Sequence, residues 1–174
     1  MLGPLPLDGE DNTKCVERQL ASCGSVSRYD IMTPEAPLSS EADFIEIEHT
    51  ADWAIRVRGK TLQELFVNAA TGMYSLMADL SSVAPDVERA VEVSGVDAEA
   101  LLVNWLNELV YHTEVNGEVF CEFRIDSFEP TRLHAMALGG RGVQLKKQIK
   151  AVTFHNLRIE ATGQGNEVTI VFDV

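Results

Sequence analysis

The amino-acid sequence predicts an α+β fold, a single compact domain with about seven strands in mixed or antiparallel sheets packed with two long helices. Two segments space their apolar residues as amphipathic helices do, and about seven shorter segments alternate apolar with polar residues. The strand-like segments cluster along the chain, whereas a doubly wound sheet would alternate them with helices. We therefore expect the two helices to pack against the sheets within one domain.

The first elements are predicted as a pair of strands and a helix. Apolar and polar residues alternate in 44–48 and 53–58. Thr61, followed by Glu64, is a capping-box sequence, which favours a helix start at this point. Gly72 inside the helix weakens it relative to alanine and so indicates close approach of another element. The apolar stripe of this helix comprises Leu62, Leu65, Phe66, Ala69, Ala70, Met73, Leu76 and Met77.

The second half of the chain is predicted as a strand, a helix and four more strands. A weak alternation favours a strand at 87–93, and Asp97 is placed to cap a helix that Asn116-Gly117 would end. The core-facing side of this helix holds Leu101, Leu102, Trp105, Leu106, Leu109 and Val110. The later strands are predicted at 119–128, 132–140, 150–162 and 167–174, with Gly163-Gln164-Gly165 joining the last two as a hairpin.

Residues 1–42 are predicted to be a mobile N-terminal extension, and residues 43–174 the folded domain. The extension holds four of the six prolines and shows no sustained period of 2 or 3.6, so it cannot bury enough apolar surface to offset its ordering entropy. A short helix over Cys15–Ala21 is the one element indicated there.

The formal net charge of −13 bears on the class of partner. Such an acidic chain repels phosphates, which disfavours direct, charge-driven binding of nucleic acid. It favours a cation or a basic protein surface as the partner. The alternative is that the acidity only keeps the chain in solution.

The cysteines and the hydropathy pattern predict a compartment. Cys15, Cys23 and Cys121 are an odd and scattered set, which argues against a zinc site and a disulfide scaffold. No apolar run reaches the length of a membrane span, and the N-terminus does not resemble a secretory signal. We expect a cytoplasmic protein with no membrane partner, and a nuclear location is the alternative.

Two carboxylates at strand ends are the candidates for a metal site. The familiar phosphate-loop and hydrolase motifs are absent from the sequence. Asp52 closes the His-Thr-Ala-Asp connection between the first two strands, and Asp173 interrupts the apolar run of the last strand. If these strands are neighbours, the two carboxylates could converge with main-chain oxygens, the donor set that Ca²⁺ and Mg²⁺ prefer. Alternatively, Asp52 is a turn residue and Asp173 a solvated strand end.

Four segments of the chain resemble the archease family, in the same order and at plausible spacing. They contain the His-Thr-Ala-Asp connection, Trp-Leu-Asn-Glu-Leu in the second helix, Lys-Ala-Val-Thr-Phe-His, and the final Asp-Val. The likeness runs from Phe44 to Val174. It implies a protein that is not itself an enzyme but an accessory factor of the GTP-dependent, 3′-phosphate RNA ligase that joins tRNA halves. Such a factor promotes guanylylation of the ligase and its multiple turnover, and meets the tRNA halves only through the ligase.

The resemblance also implies a divalent metal at an acidic tip. Carried over to this chain, the ligands are Asp52, Asp173 and Val174, the last through a main-chain or terminal oxygen. Ca²⁺ is the ion expected in a structure, and Mg²⁺ or Mn²⁺ are open as the ion used in function.

Three further polar residues stand in the same motifs. His49 is either a ligand or proton carrier, or a structural histidine at a strand end. Lys150 either contacts the ligase or a nucleotide phosphate, or is a solvated lysine at a strand edge, and alternation places it on the face opposite His155. Two other functions stay open for the whole chain: a free-standing metal-dependent phosphoester hydrolase, and a general chaperone or binding module.

Overall fold

The computed structural model describes residues 44–48 and 53–174. The predicted extension of residues 1–42 and the short helix at Cys15–Ala21 lie outside this part of the chain. The elements in chain order are β1 (Phe44–Glu48), β2 (Trp53–Gly59), α1 (Leu62–Met77), a 3₁₀ turn (Leu80–Ser82), β3 (Val87–Ser94), α2 (Ala98–Asn116), β4 (Glu118–Glu129), β5 (Arg132–Arg141), β6 (Ala151–Thr153), β7 (Glu160–Thr162) and β8 (Gly165–Asp173).

The strands form two antiparallel sheets. The first has the order β1-β2-β8-β6, with β7 also paired to β8, and the second has the order β3-β5-β4. Both helices contact strands of both sheets, so one apolar core runs between the layers. The α+β prediction is confirmed, with antiparallel pairing throughout the described residues.

The strand predicted at 150–162 is wrong in one respect, because the structure breaks it into β6 and β7. Both short strands lie along the same side of β8. Six residues, 154–159, separate them, whereas only three residues of β8, 168–170, separate their partners. The surplus residues leave the sheet through a turn in which Leu157 N–H donates to Phe154 O (3.2 Å) and Asn156 has a φ of 51°.

The start of α1 follows the predicted capping sequence, with one difference. The Thr61 hydroxyl accepts from Glu64 N–H at 3.1 Å, as expected. The Glu64 carboxylate accepts from Lys60 N–H at 3.0 Å, rather than from the N–H of Thr61. Gly72 makes the predicted close approach, because a Cβ there would lie 3.0 Å from side-chain carbons of Phe44 and Ile55.

The two helices are tied together inside the core. Trp105 of α2 donates its indole N–H to Phe66 O of α1 at 3.2 Å. The Tyr74 hydroxyl donates to Leu109 O at 3.0 Å and lies 2.8 Å from Thr113 Oγ1, and burial raises the pKa of Tyr74. As predicted, α2 begins at an Asp97 cap and ends at Gly117, whose φ is 64°.

The glycine-rich stretch at the end of β5 serves close backbone packing. A Cβ at Gly139 would collide with Val119 O, and one at Gly140 with Ala84 O. Both glycines are buried within the sheet, so the stretch is a strand end and not an anion-binding loop.

Cys121 corrects the prediction about the cysteines. Its side chain is buried in β4, and it is disulfide-bonded. The odd number of cysteines in the chain therefore did not exclude a disulfide.

Candidate metal centre

One end of the five-stranded sheet brings together the start of β2, the end of β8 and β6. Trp53 pairs with Phe172, and Phe172 pairs on its other side with Val152. In the sequence Asp52 immediately precedes Trp53, and Asp173 immediately follows Phe172. The predicted metal ligand Asp52, like His49, lies outside the described residues. Trp53, which follows Asp52 in the sequence, is the cross-strand neighbour of Phe172 in the last strand.

Asp173 and Val174 expose oxygen atoms at this end. Asp173 pairs with Ala151, and its main-chain oxygen accepts from Lys150 N–H at 2.9 Å. Its side chain is exposed, so the carboxylate faces solvent. The main-chain oxygen of Val174 accepts a 2.9 Å hydrogen bond from the Lys150 ammonium group.

A lysine-rich segment, residues 146–150, lies against the same end. Lys146 N–H donates to Met77 O at 2.7 Å, which ties the segment to the end of α1. The Lys147 ammonium lies 3.0 Å from the centroid of the Trp53 ring, a cation–π contact. Ile149 is fully buried and fixes the segment to the core. The segment therefore holds the Lys147 ammonium on Trp53 and the Lys150 ammonium on the main-chain oxygen of Val174.

The strand assignments of Lys150 and His155 need correction. Strand β6 covers only Ala151–Thr153, so both residues lie just outside it and strand alternation does not set their orientation. His155 is exposed in the turn after β6, where its N–H donates to Thr153 Oγ1 at 3.3 Å and its ring Nε2 lies 3.1 Å from Asn156 Nδ2.

Asn107 supports the site and was not predicted as a functional residue. Its Oδ1 accepts from Val152 N–H at 2.8 Å, and its Nδ2 donates to Val152 O at 3.2 Å. The amide thus satisfies β6 on the edge opposite β8. The signal was present in the sequence, because Asn107 is the polar centre of Trp-Leu-Asn-Glu-Leu, and Val152 belongs to Lys-Ala-Val-Thr-Phe-His.

The donor chemistry of the described residues fits a hard divalent cation. A carboxylate and a main-chain carbonyl oxygen are the ligand types that Ca²⁺ and Mg²⁺ prefer. The Lys150 ammonium on Val174 O shows that this oxygen already accepts a cationic group. Within 44–48 and 53–174, no three His, Cys, Asp or Glu side chains cluster as a metal site.

A second cluster of charges, on the three-stranded sheet, is structural. The Glu118 carboxylate is fully buried and binds Arg89 through two hydrogen bonds of 2.6 and 3.1 Å. Arg141 donates to the same carboxylate at 2.8 Å. The hydrogen bonds from Arg89, supported by Arg141, lower the pKa of Glu118 despite its burial. This carboxylate is fully occupied in linking β3, β4 and β5.

The family of the chain follows from comparison with known proteins. The model of the Archease protein family (MTH1598/TM1083) matches residues 44–174. The chain belongs to the archease family. The archease of Methanosarcina barkeri is 36% identical over 136 residues, covering 74% of this chain and 93% of that protein. The archease of Archaeoglobus fulgidus is 36% identical over 132 residues, covering 74% and 96% respectively.

Solved structures share the archease fold. The solution structure of Methanobacterium thermoautotrophicum protein 1598 is similar with a TM-score of 0.64 and 30% identity, covering 76% of this chain and 99% of that one. An archease of Thermotoga maritima, described as a possible chaperone, is similar in fold alone, with a TM-score of 0.57 and 22% identity over 84% of this chain. No helix in the described part of this archease is long and apolar enough to cross a membrane.

Proposed function

We propose that this archease is an accessory factor of a GTP-dependent RNA ligase that joins tRNA halves. It promotes guanylylation of the ligase and lets the ligase turn over repeatedly, and it does not join RNA itself. The tRNA halves meet the archease only through the ligase. Its working part is the end of the five-stranded sheet, where a divalent ion is held by Asp52, Asp173 and the main-chain oxygen of Val174.

The observation that supports this proposal is the pairing of Trp53 with Phe172. This pairing joins two parts of the sequence that lie more than a hundred residues apart, each flanking one of the proposed ligands. The exposed Asp173 carboxylate and the main-chain oxygen of Val174 supply two donors of the type that such an ion needs.

The ion's contribution is electrostatic, since a divalent cation neutralises the charge that develops on phosphate oxygens during nucleotidyl transfer. The chain's own residues have a different task. The Lys150 N–H bond to Asp173 O and the Asn107 amide on Val152 hold the end of β8 and β6 in place. A partner protein accelerates the step only by favouring the reactive arrangement of the ligase over the unreactive one.

Multiple-turnover RNA ligation tests the proposal. The ligase is assayed with GTP and Mn²⁺, alone and with the wild-type archease, Asp52→Ala or Asp173→Ala. The matched control is Asp126→Ala, which removes an exposed aspartate on the other sheet, paired with Arg124 at 2.9 Å. We expect the wild type and the control to convert a stoichiometric ligase into a recycling one, and both tip variants to fold normally but fail to do so. Full stimulation by both tip variants would contradict the proposal.

The same proteins discriminate the two other functions. Metal-dependent cleavage of a small phosphoester by the purified archease, lost in Asp52→Ala, would favour a hydrolase. Suppression of aggregation of unrelated proteins that survives Asp173→Ala would favour a general chaperone, the description attached to the Thermotoga protein.

A further inference from the structure

The Lys150 side chain occupies an atom that the proposed metal centre needs. Its ammonium group donates to Val174 O at 2.9 Å, and this oxygen is one of the three proposed ligands. Both groups are at the surface: Lys150 is exposed, and Val174 is 36% exposed. The lysine therefore holds a positive charge at the position where a divalent ion would bring its own.

We propose that Lys150 is a built-in competitor for the divalent ion, and that binding of the ion releases the lysine ammonium from Val174 O. In the metal-free protein Lys150 neutralises the exposed oxygens at the end of β8. In the metal-bound protein it is a free cation at the rim of the site. The inference rests on the proposed metal centre and assigns a regulatory residue to it.

Electrostatics makes the two occupants exclude each other. A divalent ion and an ammonium group bound to the same oxygen would lie only a few ångströms apart, where like charges repel even at the protein surface. The lysine side chain is long and flexible, so it is the group that moves.

The backbone of Lys150 stays in place during this exchange. Its N–H donates to Asp173 O at 2.9 Å, and the preceding residue, Ile149, is fully buried. Only the side chain needs to leave, and the end of β8 keeps its shape. Replacing the side chain therefore leaves the fold intact.

Calorimetric titration of the full chain with Ca²⁺ tests the competition. We expect Lys150→Met to bind Ca²⁺ about tenfold more tightly than the wild type, because a repelling charge is removed, and Lys150→Arg to bind as the wild type does. The matched control is Lys147→Met, whose ammonium lies on Trp53 and not on a ligand atom, and we expect its affinity to change by less than about twofold. Equal or weaker binding by Lys150→Met would overturn the inference and make Lys150 a support of the site.

Amine labelling tests the release without any ligase. The full chain is treated with acetic anhydride with and without saturating Ca²⁺, and acetylation is measured by mass spectrometry. We expect Ca²⁺ to increase the labelling of Lys150 severalfold, to leave Lys147 unchanged, and to have no effect in Asp173→Asn. Bound Ca²⁺ with unchanged Lys150 labelling would overturn the exchange alone. Absence of Ca²⁺ binding in the wild type would overturn both the exchange and the metal centre on which it rests.

Discussion

At the level of single residues, Asn107 joins α2 to the edge of the five-stranded sheet. Its amide makes both hydrogen bonds that the main chain of Val152 offers on that side, and Val152 is almost fully buried. Asn107→Ala leaves a donor and an acceptor without protein partners, and we expect the free energy of unfolding to fall by about 2 kcal/mol. Urea denaturation followed by circular dichroism measures the change.

Asn104→Ala is the matched control for this prediction. Asn104 lies one turn earlier on the same helix and makes one exposed hydrogen bond, from Nδ2 to Ser94 O at 2.8 Å. We expect a loss below about 1 kcal/mol. Equal losses in the two variants would show that the two hydrogen bonds to Val152 stabilise the protein no more than the single exposed hydrogen bond of Asn104.

Glu118 is a buried carboxylate of the described residues, and we expect its protonation to affect stability. We expect Glu118→Gln to lower the free energy of unfolding by roughly 2 kcal/mol at pH 7, since Arg89 and Arg141 lose a buried carboxylate but remain partly solvated. Urea denaturation at pH 7 provides the value, and a loss near zero would contradict it.

The pH dependence of this loss has a defined sign. The pKa of Glu118 is lowered in the folded protein, so the unfolded chain binds the proton first as the pH falls. The stabilisation is present above the ordinary glutamate pKa of about 4.3 and is lost as the pH falls through the lower folded pKa. The difference between wild type and Glu118→Gln should therefore shrink below about pH 4. A constant difference down to pH 2 would contradict the assignment.

Hydrogen bonds between residues that are near in sequence could be predicted, and those between distant residues could not. Thr61 and Asp97 cap their helices through hydrogen bonds to residues three positions away, so the pattern alone was sufficient. Asn107 bonds a residue 45 positions away, and only the assembled sheet shows the partner. Glu118 bonds Arg89, 29 positions away, so this ion pair also becomes visible only in the assembled sheet.

At the level of elements, the end of β5 is limited by the space between main chains. We expect Gly139→Ala to destabilise the protein by about 3 kcal/mol, because its Cβ would meet Val119 O of the neighbouring strand. Gly163→Ala, in the β7–β8 connection where no atom lies within 4 Å of the new Cβ, is the matched control. Thermal unfolding of both variants compares them, and a similar melting temperature for the two would contradict the packing explanation.

The break between β6 and β7 shows the limit of alternation as a signal. Residues 151–153 and 160–162 do line one edge of β8, so the prediction of extended chain there had a physical basis. The interruption arises because β8 has fewer residues between the partners of β6 and β7 than the segment has between the two strands. That difference depends on how the strands pair, so the sequence of the segment alone does not show it. Helices α1 and α2 were predicted more closely, because their hydrogen bonds and caps are local.

At the level of the whole molecule, the net charge of −13 bears on the proposed association with a ligase. If a basic ligase surface receives the archease, salt weakens the encounter. We expect the archease concentration that half-saturates ligase stimulation to rise about tenfold between 50 and 500 mM NaCl. Ligase activity without archease at each salt concentration is the control. A constant half-saturating concentration would show that charge does not guide the docking.

The sequence was enough to propose which types of residue form the candidate site, but not which other residues contact them. Asp173 stood out in the sequence because a carboxylate interrupts an apolar strand. In the structure the preceding residue, Phe172, pairs with Trp53. The contacts of Lys147 with Trp53 and of Lys150 with Val174 could not be predicted, because they depend on how the segment 146–150 returns to the sheet. Sheet order is a property of the whole chain.

The Asn107 amide also blocks the outer edge of β6, which is an edge of this sheet. A strand edge normally presents free N–H and C=O groups on which a strand of another molecule can add. At the middle of β6 both groups are already bonded to a helix side chain, so an incoming strand would first have to displace Asn107. The sheet is therefore closed to growth at this point, and the amide proton of Val152 should exchange with solvent as slowly as a proton in the interior of a sheet.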